Sequence, residues 1–263
     1  MSVSVPATNF ADAQREIFRL RASRNTSLGW SPRLRQRFGY FTPDECYEAM
    51  MLQLITSGVS WIDVGCGHDL FPSNLPLAEL LAQRSGLLVG VDPSANIEKN
   101  ELVHERARCT IEEYHTDRTF DVISLRMVAE HIANPEAAIA SFSRLTKPGG
   151  RVVIYTVSKW AISSLVAAGS PIGFHHLVKG VLWGTDPEDT FPTVYRMNTR
   201  ARLRELFSAG GFQEEQFLYL DDCRTLARWR LGTVMELSAR RAFRAVGLPY
   251  VDVCILGVYR KNS

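Results

Sequence analysis

The chain of 263 residues is 46% apolar and 22% charged, and its 30 Lys and Arg stand against 28 Asp and Glu. This usage excludes disordered and fibrous classes, and a net charge of +2 does not point to polyanion binding. The length suits one large domain, or a core carrying a substantial insertion.

In chain order, the first 45 residues read as a helical extension. Ala11 to Arg21 has helical spacing, and a basic stretch with Trp30, Pro32 and Arg33 follows. The opening residues lack an apolar run behind a basic start, so no secretory signal is expected and a cytoplasmic location is. Thr42-Pro43-Asp44-Glu45 is a strong helix start: Thr42 as N-cap, Pro43 at the first position, and two acids at the positive end of the dipole. The spacing predicts that this helix runs to Gly58.

From Ser60 short apolar runs alternate with helical segments. Ser60–Val64 ends at Gly65-Cys66-Gly67, Leu75–Gln83 is helical, and Gly86–Val91 ends at Asp92. Asp121–Leu125 is a third buried run. Asn134-Pro135 opens a helix that Lys147-Pro148-Gly149-Gly150 stops, and Arg151–Val157 is another strand. Continuous apolar strands alternating with helices predict a mostly parallel sheet covered on both faces. Residues 158–198, rich in aromatics, Gly and Pro, interrupt the rhythm as an inserted helical lid. Residues 199–263 then close the core, with a helix over Ala201–Ala209, strands over Phe212–Leu220 and Val251–Tyr259, and a helical insertion over 222–247. The apolar stretch from Trp160 to Gly169 is too short to span a bilayer.

Five scattered cysteines, odd in number and without a CxxC pair, predict reduced and mostly buried thiols. No His/Cys/Asp grouping has metal-ligand spacing, so no metal is expected. Ligands of open α/β sheets sit at the carboxyl ends of strands. There the glycine turn lets a ligand approach the backbone, and Asp92, about 25 residues on, can accept ribose hydroxyls. The two features together specify an adenosine-containing cofactor. A third glycine is missing, Asp69 stands where phosphate would sit, and there is neither a YxxxK pair nor a GxxxxGK[ST] loop. A nicotinamide dinucleotide and a P-loop are therefore disfavoured. Asp63 and Asp69 instead suit a cationic amino-acid moiety.

WIDVGCGHDLFP, LLVGVDPS, TFDVISLRMVAEHI and LTKPGGRVVIY, in that order, resemble the motifs of class I S-adenosylmethionine-dependent methyltransferases over about residues 46–157. The resemblance implies an α/β, Rossmann-like, seven-stranded, mostly parallel sheet with helices on both faces and S-adenosylmethionine as cofactor. It also implies that Asp63, Gly65 and Gly67 line the methionine half and that Asp92, with Pro93, holds the ribose. Ile111 and Glu112 fall at the adenine-contacting turn, and Arg126 and Met127 lie beside the methionyl chain. Ile111, where an acidic pattern is usual, and Arg126, where small or polar residues are common, depart from the family.

The activity so implied is methyl transfer to an O, N or C atom of a small apolar or aromatic metabolite. The alternative is an inactive, methyltransferase-like binding or scaffold protein. No Asn-Pro-Pro type motif follows Ser124-Leu125, which argues against a nucleic-acid acceptor. His131, next to Glu130 at a position where the family often carries histidine, is one candidate base, and His175 and His176 in the lid are the others. Tyr195 and Arg196, at the end of the lid, are candidates to meet the acceptor. Phe38-Gly39-Tyr40-Phe41 either closes over the methionine end or packs an accessory helix. The arginines of 222–247 form either a solvated face or a contact with anionic lipid headgroups or an acidic substrate. Peripheral membrane contact is thus left open, as is the choice between monomer and homodimer.

Overall fold

The computed structural model describes residues 9–24, 30–161, 192–248, 250 and 252–263. Helices α1 (Phe10–Arg24), α2 (Trp30–Arg37) and α3 (Pro43–Leu54) precede strand β1 (Ser60–Val64). Then come α4 (Leu75–Arg84), β2 (Leu87–Val91), β3 (Glu105–Ala107), β4 (Phe120–Arg126), α5 (Pro135–Leu145) and β5 (Thr146–Val157). The chain closes with α6 (Arg200–Ala209), β6 (Phe212–Asp221), α7 (Arg230–Ala245) and β7 (Asp252–Lys261).

The sheet has seven strands in the order β3-β2-β1-β4-β5-β7-β6. The first five are parallel, and β7 runs antiparallel between β5 and β6. This is the Rossmann-like class expected. Because β1 is flanked by β2 on one side and β4 on the other, strand order reverses there, opening a crevice at the carboxyl ends of these strands.

Alternation along the strands sorts the core into two layers. Trp61 of β1 packs with Tyr47, Met51 and Leu77 on the face covered by α1, α3 and α4. Its neighbours Ile62 and Val64 pack with Phe142 of α5 and Phe207 of α6 on the other face. The N-terminal helix joins the first layer through Ala13 and Ile17, both fully buried. Arg21 fastens it by bonding Glu48 at 2.6 Å and Glu45 at 3.2 Å.

Several boundaries differ from those expected. Helix α3 stops at Leu54 rather than Gly58, because buried Ile55 leaves the helical conformation to turn the chain toward β1. Strand β5 starts at Thr146, ahead of Arg151. It absorbs Lys147–Gly150 as an irregularity, with Gly149 at φ +74° and a register shift opposite β4. The short strand β3 has no apolar run and no counterpart in the sequence reading. Residues 222–229 are not helical. Asp222 and Arg224 hold each other and Asp44 across the molecule, so α7 begins only at Arg230. Tyr40 is a packing residue: its hydroxyl donates to the Asp221 carbonyl and accepts from Cys223 N–H, beside Leu237. Most of the expected lid, with His175 and His176, lies outside the described residues.

Candidate active site

Asp63 is the penultimate residue of β1, and its side chain points into the first layer, 4% exposed. Ser124, at the adjacent register position of β4, donates its hydroxyl to Asp63 Oδ1 at 2.5 Å and accepts from Trp61 Nε1 at 2.7 Å. Burial pushes the Asp63 carboxyl up to about 7, against the pull of the Ser124 bond and the Arg126 charge. Tyr47, stacked on Tyr155 at 5.3 Å, buries a hydroxyl without a hydrogen-bond partner of good geometry among the described residues.

The chain then turns on two glycines. Gly65 has φ +69° and Gly67 φ +49°, a region costly for other residues. Gly65 N–H donates to the Val91 carbonyl at 2.7 Å. A Cβ on Gly65 would fall 2.2 Å from Val128 Cγ2, so the loop after β4 lies directly on this turn. The neighbouring His68 is exposed and pairs locally with Asp69 at 3.0 Å.

Asp92 follows β2. Its Oδ2 accepts Gly67 N–H at 2.9 Å and its Oδ1 accepts Ser94 N–H at 2.7 Å, while Asn100 donates to the Gly67 carbonyl. One carboxylate thus ties the β1 turn to the β2 turn, and exposed Pro93 leads into the short helical turn after it. Ile111 is buried with Val89 and Val91 at the side of β2, and half-buried Glu112 is the next residue.

Beyond β4, Met127 takes φ +56° and donates its N–H to the Tyr155 carbonyl. Glu130 is buried. It accepts from Thr156 Oγ1 at 2.6 Å, and burial raises its carboxyl above the usual range. The Glu130 carbonyl takes the N–H groups of Val194 and Tyr195, which docks the end of the 158–198 segment onto this loop. His131 Nδ1 lies 3.2 Å from the Pro192 carbonyl. A carbonyl only accepts, so this contact needs a proton on Nδ1, and in the neutral ring that tautomer has Nε2 as its acceptor nitrogen.

Tyr195, at φ +51°, and Arg196 line a cleft of about 530 Å³ together with Glu136, Lys159, Asn198 and Arg202. Arg196 donates to the Ala133 carbonyl at 2.6 Å. This cleft is not lined by Asp63, Asp92 or either glycine of the turn, so the acceptor-side candidates and the cofactor-side candidates form two separate groups.

A further constellation was not singled out in the sequence. Asp44, in the first turn of α3, accepts from Arg224 Nη1 at 3.2 Å and from the Tyr155 hydroxyl at 3.4 Å, and lies 4.0 Å from Arg126 Nη1. Asp222 clamps Arg224 with bonds of 2.6 to 3.0 Å. These residues span 180 positions of chain, and the only local signal was an acid that also serves as a helix-start residue.

Comparisons with known proteins bear on the family and the fold. Ubiquinone biosynthesis O-methyltransferase of Rhodopseudomonas palustris (strain BisB18) is 30% identical over 146 residues, covering 52% of this chain and 54% of that protein. The enzyme of the same name from Bradyrhizobium sp. (strain ORS 278) is 32% identical over 133 residues, 47% of this chain and 50% of that one. The chain therefore spans about half the length of the curated relatives it matches. A crystal structure of an S-adenosylmethionine dependent methyltransferase from Mesorhizobium loti shares the fold. Its TM-score is 0.52 at 16% identity, over 84% of this chain and 98% of that one. A family model described as a methyltransferase domain matches residues 19–216, so the chain belongs to that family and carries its class I, S-adenosylmethionine-dependent fold.

Proposed function

We propose that the protein transfers a methyl group from S-adenosylmethionine to a hydroxyl oxygen of a small, ring-bearing acceptor. The observation that carries this reading is the pair of carboxylates, Asp63 and Asp92, set at the ends of adjacent strands around a glycine turn. The relatives named O-methyltransferases in ubiquinone biosynthesis support oxygen as the methylated atom and an apolar ring as its carrier.

The residues fit this cofactor. Each Asp92 oxygen holds one backbone N–H and keeps a lone pair for a ribose hydroxyl. Gly67, around which a Cβ would meet nothing within 4 Å, leaves backbone open to the methionine half, while Gly65 lets the turn pass beneath Val128. Asp63 and the buried Tyr47 hydroxyl offer acceptors to an ammonium group. Arg126, with Met127 beside it, offers a guanidinium to a carboxylate. Ile111 supplies an apolar wall for a purine, with Glu112 at its edge and Pro93 flanking the ribose.

When bound, S-adenosylmethionine supplies an electrophilic methyl group on a sulfonium. The chain's part is to align the acceptor oxygen, exclude water and take the hydroxyl proton. We assign that proton to His131 Nε2, with His175 and His176 as the other candidates. Tyr195 and Arg196 would meet the acceptor in the cleft that they line.

The test is thermal unfolding with S-adenosylhomocysteine against NAD, followed by mass spectrometry of catechol and quinol acceptors incubated with S-adenosylmethionine. Stabilisation by S-adenosylhomocysteine alone, about 2.7 kcal/mol at 100 times its dissociation constant, supports the cofactor reading. Stabilisation by NAD alone overturns it. Binding without methylation of any ring hydroxyl leaves a binding or scaffold protein instead.

A further inference from the structure

We propose that helix α7 is the docking surface by which this protein binds an anionic lipid membrane. The inner face of α7 is occupied: Thr233, Leu237 and Arg240 are buried, and Arg240 bonds Asp221 at 2.6 Å while lying over the Tyr40 ring. The outer face is apolar and uncovered. Leu231 is 80% exposed and Met235 68% exposed, one helical turn apart, and Ala242 and Val246 continue the same stripe. Trp229, 62% exposed, stands at the amino end of the helix, and exposed Leu248 follows its carboxyl end.

The charge around this stripe has one sign. Arg228, Arg230, Arg241 and Arg244 are exposed on the same segment. Its single acid, Glu236, is buried and accepts the Leu226 N–H. Arg244 reaches Asp221 at 3.4 Å but stays more than half exposed. An amphipathic helix with apolar side chains on its outer stripe and arginines flanking it lies in the headgroup region, apolar face inward. A second copy of the chain is the weaker occupant. A two-fold contact through α7 would set each arginine rim against its own copy, without an acid to answer it. No helix among the described residues is long and apolar enough to cross a membrane, so the contact is peripheral.

The surface also borders the candidate active site. Residues 221–224 run from the Arg240 and Tyr40 contacts to Arg224, which pairs with Asp44 beside Arg126. An acceptor dissolved in the membrane would arrive at this end of the sheet.

The experiment is co-sedimentation of the full chain with phosphatidylglycerol vesicles and with phosphatidylcholine vesicles. Binding to phosphatidylglycerol that weakens as salt rises is the expected result. The pair Arg230→Gln and Arg241→Gln should lower that affinity roughly fivefold per arginine. The pair Leu231→Asp and Met235→Asp should abolish it. All four positions are exposed, so melting temperature and S-adenosylhomocysteine binding serve as unchanged controls, and they read the methyltransferase assignment separately. No binding to phosphatidylglycerol overturns the proposal. So does binding that neither variant pair weakens, or a dimer in sedimentation velocity that the Leu231→Asp, Met235→Asp pair dissociates.

Discussion

The carboxylate of Asp92 accepts the backbone N–H of Gly67 at 2.9 Å, so the residue expected to hold a ribose also holds the turn expected to face the methionine half. Its two duties are coupled. Asp92→Ala should weaken S-adenosylhomocysteine binding by about 1–3 kcal/mol, the scale of charge-assisted hydrogen bonds. Asp92→Asn, which keeps one acceptor oxygen, should lose less. Isothermal titration calorimetry reads both, and unchanged affinity in the alanine variant would misplace the site.

Gly65 is constrained twice, by φ +69° and by Val128. Gly65→Ala should cost about 1–3 kcal/mol through backbone strain and overpacking. Adding Val128→Ala removes the clash but not the strain, so the double variant should recover part of the loss relative to Val128→Ala alone. Denaturant unfolding measures the cycle. Full recovery would show that the positive φ contributes nothing.

Asp63 should make both the fold and cofactor binding pH-sensitive. In the unfolded chain its carboxyl ionises near about 4, and in the fold burial moves it to about 7. Between these values the native state binds the extra proton. The stability from neutral Asp63 is therefore fully present below about pH 4 and is lost as pH rises through about 7. A cationic ligand beside Asp63 favours the ionised form, so S-adenosylhomocysteine should bind more tightly as pH rises from 5.5 to 8, with proton release. Asp63→Asn should flatten both slopes. Calorimetry in buffers of different ionisation enthalpy counts the protons, and a slope unchanged in the variant would place the titration elsewhere.

Arg21 joins the N-terminal helix to two buried carboxylates. Arg21→Ala leaves Glu48, among the described residues, with Asn74 as its hydrogen-bonding side chain, and should destabilise the fold by about 3–5 kcal/mol. Replacing Glu48 with Gln in the same chain should restore part of this loss, because the unpaired charge is gone. Chemical denaturation of the single and double variants decides the matter.

His131 is testable apart from the cofactor. If its Nε2 takes the acceptor proton, His131→Gln should lower kcat about 10²–10⁴-fold and leave S-adenosylhomocysteine affinity intact. Unaltered turnover would transfer the role to His175 or His176.

Much of the scaffold was legible because its signals are local. Thr42 does cap α3, with Glu45 closing the capping box, and Asn134 caps α5. Apolar runs marked β1, β2 and β4, since strands buried on both faces must be apolar throughout. Strand β3 escaped notice because it is three residues long and largely exposed at the sheet edge. The onset of α7 escaped because an ion pair with Asp44, not local propensity, holds residues 222–224 out of the helix.

By itself, then, the sequence determined the element order, the glycine turn and the acid about 25 residues beyond it, because capping, periodicity and turn chemistry act over a few residues. Tertiary structure alone decided the partners. It set Ser124 against Asp63, Val128 against Gly65, and Asp44 between Arg126 and Arg224. It also decided which face of α7 stays uncovered. Such contacts depend on strand order and register, which bring together side chains far apart in the chain and leave no periodic trace in it.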